Sequence, residues 1–295
     1  MPAPAPKVVS GNGGPGMLLR AALPAVPGLS ALPGVRKSTQ PFEGLSVVRE
    51  PVTVERERVE AYAGVCGFPL KDTVPLPYPH LFGFPLHMAL MSDRRFPVPA
   101  MGMVHIENSI TGHRPIAIGE TLGVAASVGA PLPHPAGTAY RFTTTVTSGD
   151  VDEPVVWEST STYLRRGRRD PDAVWPSELQ DVPPSGPVFP LKADLGRRYA
   201  AVSGDYNPIH LTPITAKALG FRRHIAHGMQ TLARCIAALE NRLPDACRVD
   251  AAFKKPVFLP GSVAFGSTKV EGGYAFSLHK RGSDTLHLLG RTTAL

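Results

Sequence analysis

The chain has 295 residues, 43% of them apolar, and a formal net charge of +7, enough length for about two domains with a buried core. Its three cysteines (Cys66, Cys235, Cys247) are scattered without a CxxC pair, which excludes a zinc-finger spacing or disulfide framework and fits a reducing compartment. The basic residues are dispersed apart from "RRGRR" at 165–169, with no aromatic-basic stripe, so nucleic-acid binding is not expected, whereas a phosphate-bearing ligand suits the charge.

In chain order, residues 1–40 are rich in Pro, Gly and Ala. The stretch "MLLRAALPAVPGLSALPGVRK" is broken by Arg20 and by prolines, which argues against a secretory signal. No run is apolar for the length of a membrane span. A cytoplasmic, soluble protein with a poorly ordered tail over 1–40 is expected. A first unit over 41–165 begins with "YAGVCGF" at 62–68. A short helical stretch, "PLHMALM" at 85–91, follows among prolines. "RPIAIGETLGV" from Arg114 then leads into strand-like runs at 121–128, 140–147 and 155–164, rich in β-branched residues and partly alternating. Residues 166–190, polar and Pro-rich, read as a linker.

The second unit, 191–295, repeats the order. "YAAVSGD" at 199–205 echoes 62–68, and "KPVFLPGSVAFG" from Lys255 echoes the stretch from Arg114. Tyr62 and Pro115 are spaced nearly as Tyr199 and Pro256, the mark of a duplicated unit. Met229, Leu232, Ala233, Ile236, Ala237 and Leu239 recur at helical spacing between Gly228 and Pro244. Strands at 262–270, 274–280 and 286–292 follow, joined by turns in "EGGY" and "RGSD". One apolar helix followed by antiparallel strands, twice over, predicts an α+β fold with a sheet wrapped round each helix.

"SGDYNPIH" at 203–210 sets Asp205, Asn207 and His210 in one short segment. Pro208 restricts Asn207 to extended backbone, so the segment is not continuous helix. Asp205 and His210 around one water would make an acid/base pair. Gly228 opens the second helix, where unpaired N–H groups can hold a developing oxyanion and the missing side chain admits a substrate. The same residues also read as turn formers (Asp205, Asn207), a core histidine (His210) and a packing glycine (Gly228). A metal held by Asp205, His210, His224 and His227 matches no standard ligand spacing. His80, His87 and His105 have no clear partners in the sequence and read as structural.

The run "YAAVSGDYNPIHLTPITAKALGFRRHIAHGMQTLA" resembles the signature of the MaoC-like, hot-dog-fold (R)-specific enoyl-CoA hydratases and 3-hydroxyacyl-thioester dehydratases: Gly-Asp-x-Asn-Pro-x-His, then His-Gly-Met at the hot-dog helix. "VPLPYPHLFGFPLHMAL" and "MGMVHIENSITGHRPIAIGE" extend the likeness to the double-hot-dog dehydratases of actinobacteria. The resemblance implies a double hot-dog, each sheet around a central helix. It implies reversible syn hydration of trans-2-enoyl thioesters to (3R)-hydroxyacyl thioesters. Asp205 and His210 would hold the water, Asn207 would orient them, and the Gly228 N–H would bind the thioester carbonyl oxygen. No metal or redox cofactor is implied.

The first copy departs from the pattern: Phe68 stands where Asp205 does, and no Asn-Pro-x-His follows. That unit is expected to have lost its chemistry and to accommodate a longer acyl chain through apolar residues around 81–91. Substrate would arrive on coenzyme A or acyl carrier protein, with Lys254, Lys255, Arg222 and Arg223 as candidate phosphate contacts beside the plain reading of solvated charges. A homodimer and a monomer are both compatible with two fused units. The rival functions are a hot-dog thioesterase and a non-catalytic acyl-binding subunit.

Overall fold

The computed structural model describes residues 7–9, 42 and 44–295. Apart from 7–9, the tail expected over 1–40 lies outside the described residues. In chain order the elements are β1 (Lys7–Val9), β2 (Leu45–Thr53), α1 (Arg56–Cys66), α2 (His80–Ser92), β3 (Met103–Gly112) and β4 (Thr121–Val128). The short β5 (Leu132–His134) precedes the long hairpin β6 (Gly137–Ser148) and β7 (Val155–Arg166). Then come β8 (Val188–Leu191), α3 (Leu195–Ser203), α4 (Pro213–Ala218), α5 (Gly228–Leu239) and β9 (Cys247–Phe253). The chain closes with β10 (Gly261–Val270), β11 (Gly273–Lys280) and β12 (Leu286–Ala294). No helix among the described residues is long and apolar enough to cross a membrane.

The chain forms two compact units. The first holds the described residues up to Thr53, Pro79–His105 and Glu120–Pro176. Its sheet runs β1-β2-β4-β6-β7, with β5 on β6; β1 is parallel to β2 and the other pairs are antiparallel. Helix α2 packs on β2, β4 and β6 and buries Phe82, Leu86, Leu90 and Met91. It is longer than the 85–91 expected from the sequence. The prolines before it lie outside the helix, and Pro85 forfeits only one backbone bond inside it. At Gly83 the helix comes so near the sheet that a Cβ would stand 2.7 Å from the Thr144 side chain. His87, read as lacking partners, has two: its Nε2 is 2.8 Å from Thr144 Oγ1 and its Nδ1 3.3 Å from Tyr163 Oη.

The second unit holds Val54–Tyr78, Ile106–Gly119 and Ser177–Leu295. Its sheet is the 107–112 end of β3, then β9-β12-β11-β10-β8, all antiparallel. Helix α5 packs on β11 and on α1, with Leu232, Ala233, Ile236 and Leu239 fully buried. The division between units does not follow the linker, because α1 and the stretch Ile106–Gly119 join the second unit. The linker itself also ends earlier than 190, since β8 begins at Val188 and pairs with β10.

The repeated "YAxVxG" explains why α1 joins α3. Both helices are short, 11 and 9 residues, and helices of that length are marginal without tertiary burial. Tyr62 and Tyr199 are buried to 0% and 2% exposure, with ring centroids 6.3 Å apart. The repeated glycine ends each helix. Gly67 (φ 82°) and Gly204 (φ 76°) are left-handed, and their N–H groups bond the Ala63 and Ala200 carbonyls. The linker's far end is also anchored. The Val182 N–H donates to Ser277 Oγ at 2.8 Å, and the Asp181 carboxylate lies 3.1 Å from His279 Nε2.

Gly204→Ala is expected to cost about 1 kcal/mol, the strain of a side chain in left-handed backbone. Gly67→Ala should cost more, because its Cβ would also collide with the Arg234 guanidinium, which bonds the Gly67 carbonyl at 3.3 Å. Urea unfolding of the two variants side by side checks the order.

Candidate active site

The segment after Gly204 is folded by its own side chains. Ser203 Oγ accepts from the Asp205 N–H at 3.2 Å, and Asp205 Oδ1 accepts from the Asn207 N–H at 3.1 Å. Asn207 has φ −56° and ψ 123°, the extended backbone that Pro208 demands, and its Oδ1 caps the 3₁₀ turn Pro208–His210 at the Ile209 N–H. Asn207 therefore works on both sides: its N–H holds the Asp205 carboxylate and its side chain starts the turn that delivers His210. Thr215, in the first turn of α4, then locks that turn by donating from Oγ1 to the Pro208 carbonyl at 2.7 Å.

The chain returns through a single bridge, Ile225 to Phe258, and enters α5. His210 is 7% exposed, and its Nδ1 donates to the Ile225 carbonyl at 2.8 Å. A carbonyl only accepts, so the proton is on Nδ1 and Nε2 carries a bare lone pair. Burial, reinforced by His227, pushes the His210 pKa down to about 3 against the opposing pull of Asp205 and the Ile225 carbonyl. Burial also raises the Asp205 pKa, opposed by His210 and by the Asn207 N–H; its side chain keeps 23% exposure. Burial thus works against the charged form of each group, and it keeps His210 an imidazole whose Nε2 accepts.

Gly228 is the first residue of α5, so its N–H belongs to the turn that lacks intrahelical acceptors. A Cβ at Gly228 would come within 3.1 Å of the Phe253 ring, so the site is tight as well as bare. Asp205, Asn207, His210 and Gly228 are thus gathered within the second unit by α3, the 3₁₀ turn and the start of α5.

Gly196 was not singled out from the sequence, and His227 was weighed there only as a metal ligand and as part of the His-Gly-Met signature. A Cβ at Gly196, on α3, would fall on the His210 carbonyl oxygen. The helix and the 3₁₀ turn touch backbone to backbone there, a tertiary fact with no local signal. His227, directly before Gly228, lays its ring on His210 with centroids 3.7 Å apart and planes at 27°.

Of the four residues considered for a metal, three are brought together: one ligand atom each from Asp205, His210 and His227 lies within 4.8 Å of the others. His224 is not among them, since its Nε2 donates to the Ala193 carbonyl at 2.8 Å. Each histidine spends one ring nitrogen on a main-chain carbonyl and keeps the other bare, an arrangement that metal-ligating histidines share. His210 Nδ1 is committed to Ile225, and His227 Nε2 to the Asp205 carbonyl at 2.9 Å.

The first copy lacks more than the three side chains. The bridge Thr73 to Ala117 matches Ile225 to Phe258. Around it, Val74 N–H bonds Ile116 O and Ile118 N–H bonds Asp72 O, as Ala226 bonds Val257 and Leu259 bonds His224. Asp72 therefore corresponds to His224, and residues 69–71 replace the whole of 206–223. Phe68 itself is buried and stacked on Tyr62 at 6.1 Å. The basic candidates stand in the second unit, all exposed: the Arg222 guanidinium lies 4.2 Å and that of Arg223 6.0 Å from the Phe258 ring centroid, and Lys254 and Lys255 follow β9.

Comparison with known proteins gives a consistent result. Residues 178–285 match the family model of the MaoC like domain. Over 282 residues the chain is 36% identical to 3-hydroxyacyl-thioester dehydratase X of Mycobacterium tuberculosis, covering 94% of this chain and 97% of that protein. A crystal structure of that protein, HtdX, aligns with a TM-score of 0.74 over 85% of this chain and 100% of the other. A shorter match, 36% identical over 69 residues, spans 22% of this chain and 52% of the (R)-specific enoyl-CoA hydratase of Aeromonas caviae. A MaoC-like dehydratase structure from Phytophthora capsici, 20% identical, shares the fold at a TM-score of 0.70 over 85% of this chain and 95% of the other.

Stability is expected to fall on acidification. His210 titrates near 3 and His80 and His227 near 4 when folded, each lowered mainly by burial, against about 6.5 unfolded. The unfolded chain binds protons first, so the contribution is fully present above pH ~6.5. It is lost as pH falls toward ~4, by up to about 1.4 kcal/mol per pH unit for each histidine. Urea melts between pH 4.5 and 7.5 measure the slope.

Proposed function

The chain belongs to the MaoC-like dehydratase family and carries its α+β hot-dog fold, and from that premise we propose that it interconverts (3R)-hydroxyacyl and trans-2-enoyl thioesters by reversible syn dehydration. The observation that carries this reading is the acid/base pair: an imidazole with a bare Nε2 beside a carboxyl group whose pKa burial raises, both held by main-chain hydrogen bonds.

In the hydration direction a water lies between Asp205 and His210. His210 Nε2 takes a proton from the water as its oxygen bonds C3 of the enoyl group. The C2–C3 π electrons shift toward the thioester carbonyl, and the Gly228 N–H accommodates the resulting enolate oxygen. Asp205 then delivers its proton to C2 on the same face, and the proton on His210 passes back to the carboxylate. Dehydration runs the same steps in reverse. Asn207 acts by fixing the Asp205 carboxylate and the turn that carries His210. Every step uses protein groups alone, so no cofactor or metal is assigned.

We further assign the catalysis to the second copy alone, since residues 69–71 leave the first copy no segment to carry an acid or base. To the first unit we assign accommodation of a longer acyl chain, on the strength of the apolar side chains of α2. The carrier is coenzyme A or acyl carrier protein, with Arg222, Arg223, Lys254 and Lys255 as its phosphate contacts. A cytoplasmic location completes the proposal, and a homodimer and a monomer are both compatible with it. The complete Asp-Asn-Pro-His segment favours it over a thioesterase, which needs a nucleophile or base aimed at the carbonyl carbon, and over a non-catalytic subunit.

Crotonyl-CoA and a longer enoyl-CoA are expected to lose their enone absorbance when the protein is added. Asp205→Ala and His210→Ala should each lower the rate by about 10²–10⁴-fold, the usual contribution of a general acid or base, with unchanged circular dichroism. Thioester cleavage without hydration at any chain length would overturn the reading. Dialysis against EDTA should leave the rate unchanged; a loss restored by a divalent cation would return the Asp205–His210–His227 cluster to consideration as a metal site.

A further inference from the structure

His227 has no part in the steps above, yet it contacts both Asp205 and His210. It is 2% exposed and sits immediately before α5 in extended backbone, φ −67° and ψ 140°. One face of its ring lies on His210 at 3.7 Å, and Tyr199 packs against it at 4.9 Å and 49°. Its Nε2 is 2.9 Å from the Asp205 main-chain oxygen and 3.8 Å from Asp205 Oδ2.

Both of those oxygens are acceptors when the carboxyl is ionised, and the carbonyl is one always, so Nε2 must carry the proton. Nδ1 is buried and has no hydrogen-bond partner among the described residues. A second proton there would be left unsatisfied, which costs far more for a charged group than for a neutral one. The ring is therefore a neutral, single-tautomer slab. The groups that face it are Asp205, His210 and Tyr199, with His224 also acting on His210.

We infer that His227 is a positioning residue that sets Asp205 and His210 in register with one another: its N–H tethers the Asp205 main chain while its face fixes the plane of the His210 imidazole. The inference rests on the proposed reaction for its consequence, and on the geometry alone for its existence. His210 Nδ1 bonds Ile225, only two residues before His227. One short segment thus holds the His210 ring at its edge and at its face. A tilt of the ring would swing Nε2 away from the water while leaving the thioester contacts untouched, so the loss belongs in kcat and not in KM.

Two variants separate the functions. His227→Phe keeps the slab and removes the tether; His227→Asn keeps a donor and removes the slab. Each is expected to lower kcat for crotonyl-CoA hydration by about 10–100-fold with KM within about threefold. Nitrogen-15 NMR of histidine-labelled protein supplies a readout independent of turnover. In wild type and in His227→Phe, His210 should stay in the Nδ1–H form through pH 5. In His227→Asn, water reaches the ring, and His210 should titrate at a pH closer to the ordinary histidine value.

Folded variants with kcat within twofold of wild type would overturn the inference. So would a loss of kcat in His227→Asn with the His210 titration unmoved, which marks a merely structural role. If His227→Asn fails to fold, the kcat of His227→Phe decides. If wild type hydrates no enoyl thioester while the NMR behaves as described, the hydratase reading falls and the positioning of His210 by His227 stands.

Discussion

The hydrogen bond from His210 Nδ1 to the Ile225 carbonyl decides which nitrogen of the imidazole is available. The elements around it serve to bring those two groups together. The 3₁₀ turn capped by Asn207 presents the ring. The bridge to Phe258 holds Ile225 in extended backbone. Gly196 lets α3 approach the turn without a side chain between them. A neutral buried histidine with a defined tautomer is costly to assemble, because it forgoes protonation and needs a carbonyl aimed at it. The bridged segment that leads into α5 supplies that carbonyl here.

Much of this was readable in the sequence, for physical reasons. The hairpin strands β6–β7 and β10–β12 are long, rich in β-branched residues and punctuated by glycine turns, so period and turn chemistry agree. The Asp-Asn-Pro-His segment was legible because its chemistry is local: Asx capping and the proline constraint act within a few residues. Strands β2, β3 and β9 were not recognised. β2 contains Pro51, and the buried and exposed residues of β3 do not alternate cleanly. The extent of α2 was missed because prolines look like helix breakers until the first is seen at the cap and Pro85 one turn inside.

His227 and Gly196 mark the boundary of what sequence can carry. The sequence marks His227 through the His-Gly-Met signature and as a candidate metal ligand, but its packing appears only when Asp205, His210 and Tyr199 arrive from elsewhere in the chain. Gly196 lies within an ordinary helical stretch, and the reason for it is the carbonyl of a residue fourteen positions on. The repeat also gained a meaning. The shared "YAxVxG" is two helix ends that pack on each other through their tyrosines, a structural demand on both copies that does not extend to the residues after the glycine.

That pairing has a consequence for biosynthesis. Helix α1 is made early, yet the surface that buries its tyrosine includes Tyr199, which emerges from the ribosome well over a hundred residues later. Contacts of such long sequence separation form slowly, because loop-closure entropy precedes any gain from burial. The nascent first half must wait with an amphipathic helix uncovered, a state in which chains are prone to associate wrongly. Expressing the halves as separate proteins divided at 166–190 would leave α1 on one fragment and its partner α3 on the other. Duplication has here produced two copies whose independence in sequence is not independence in folding.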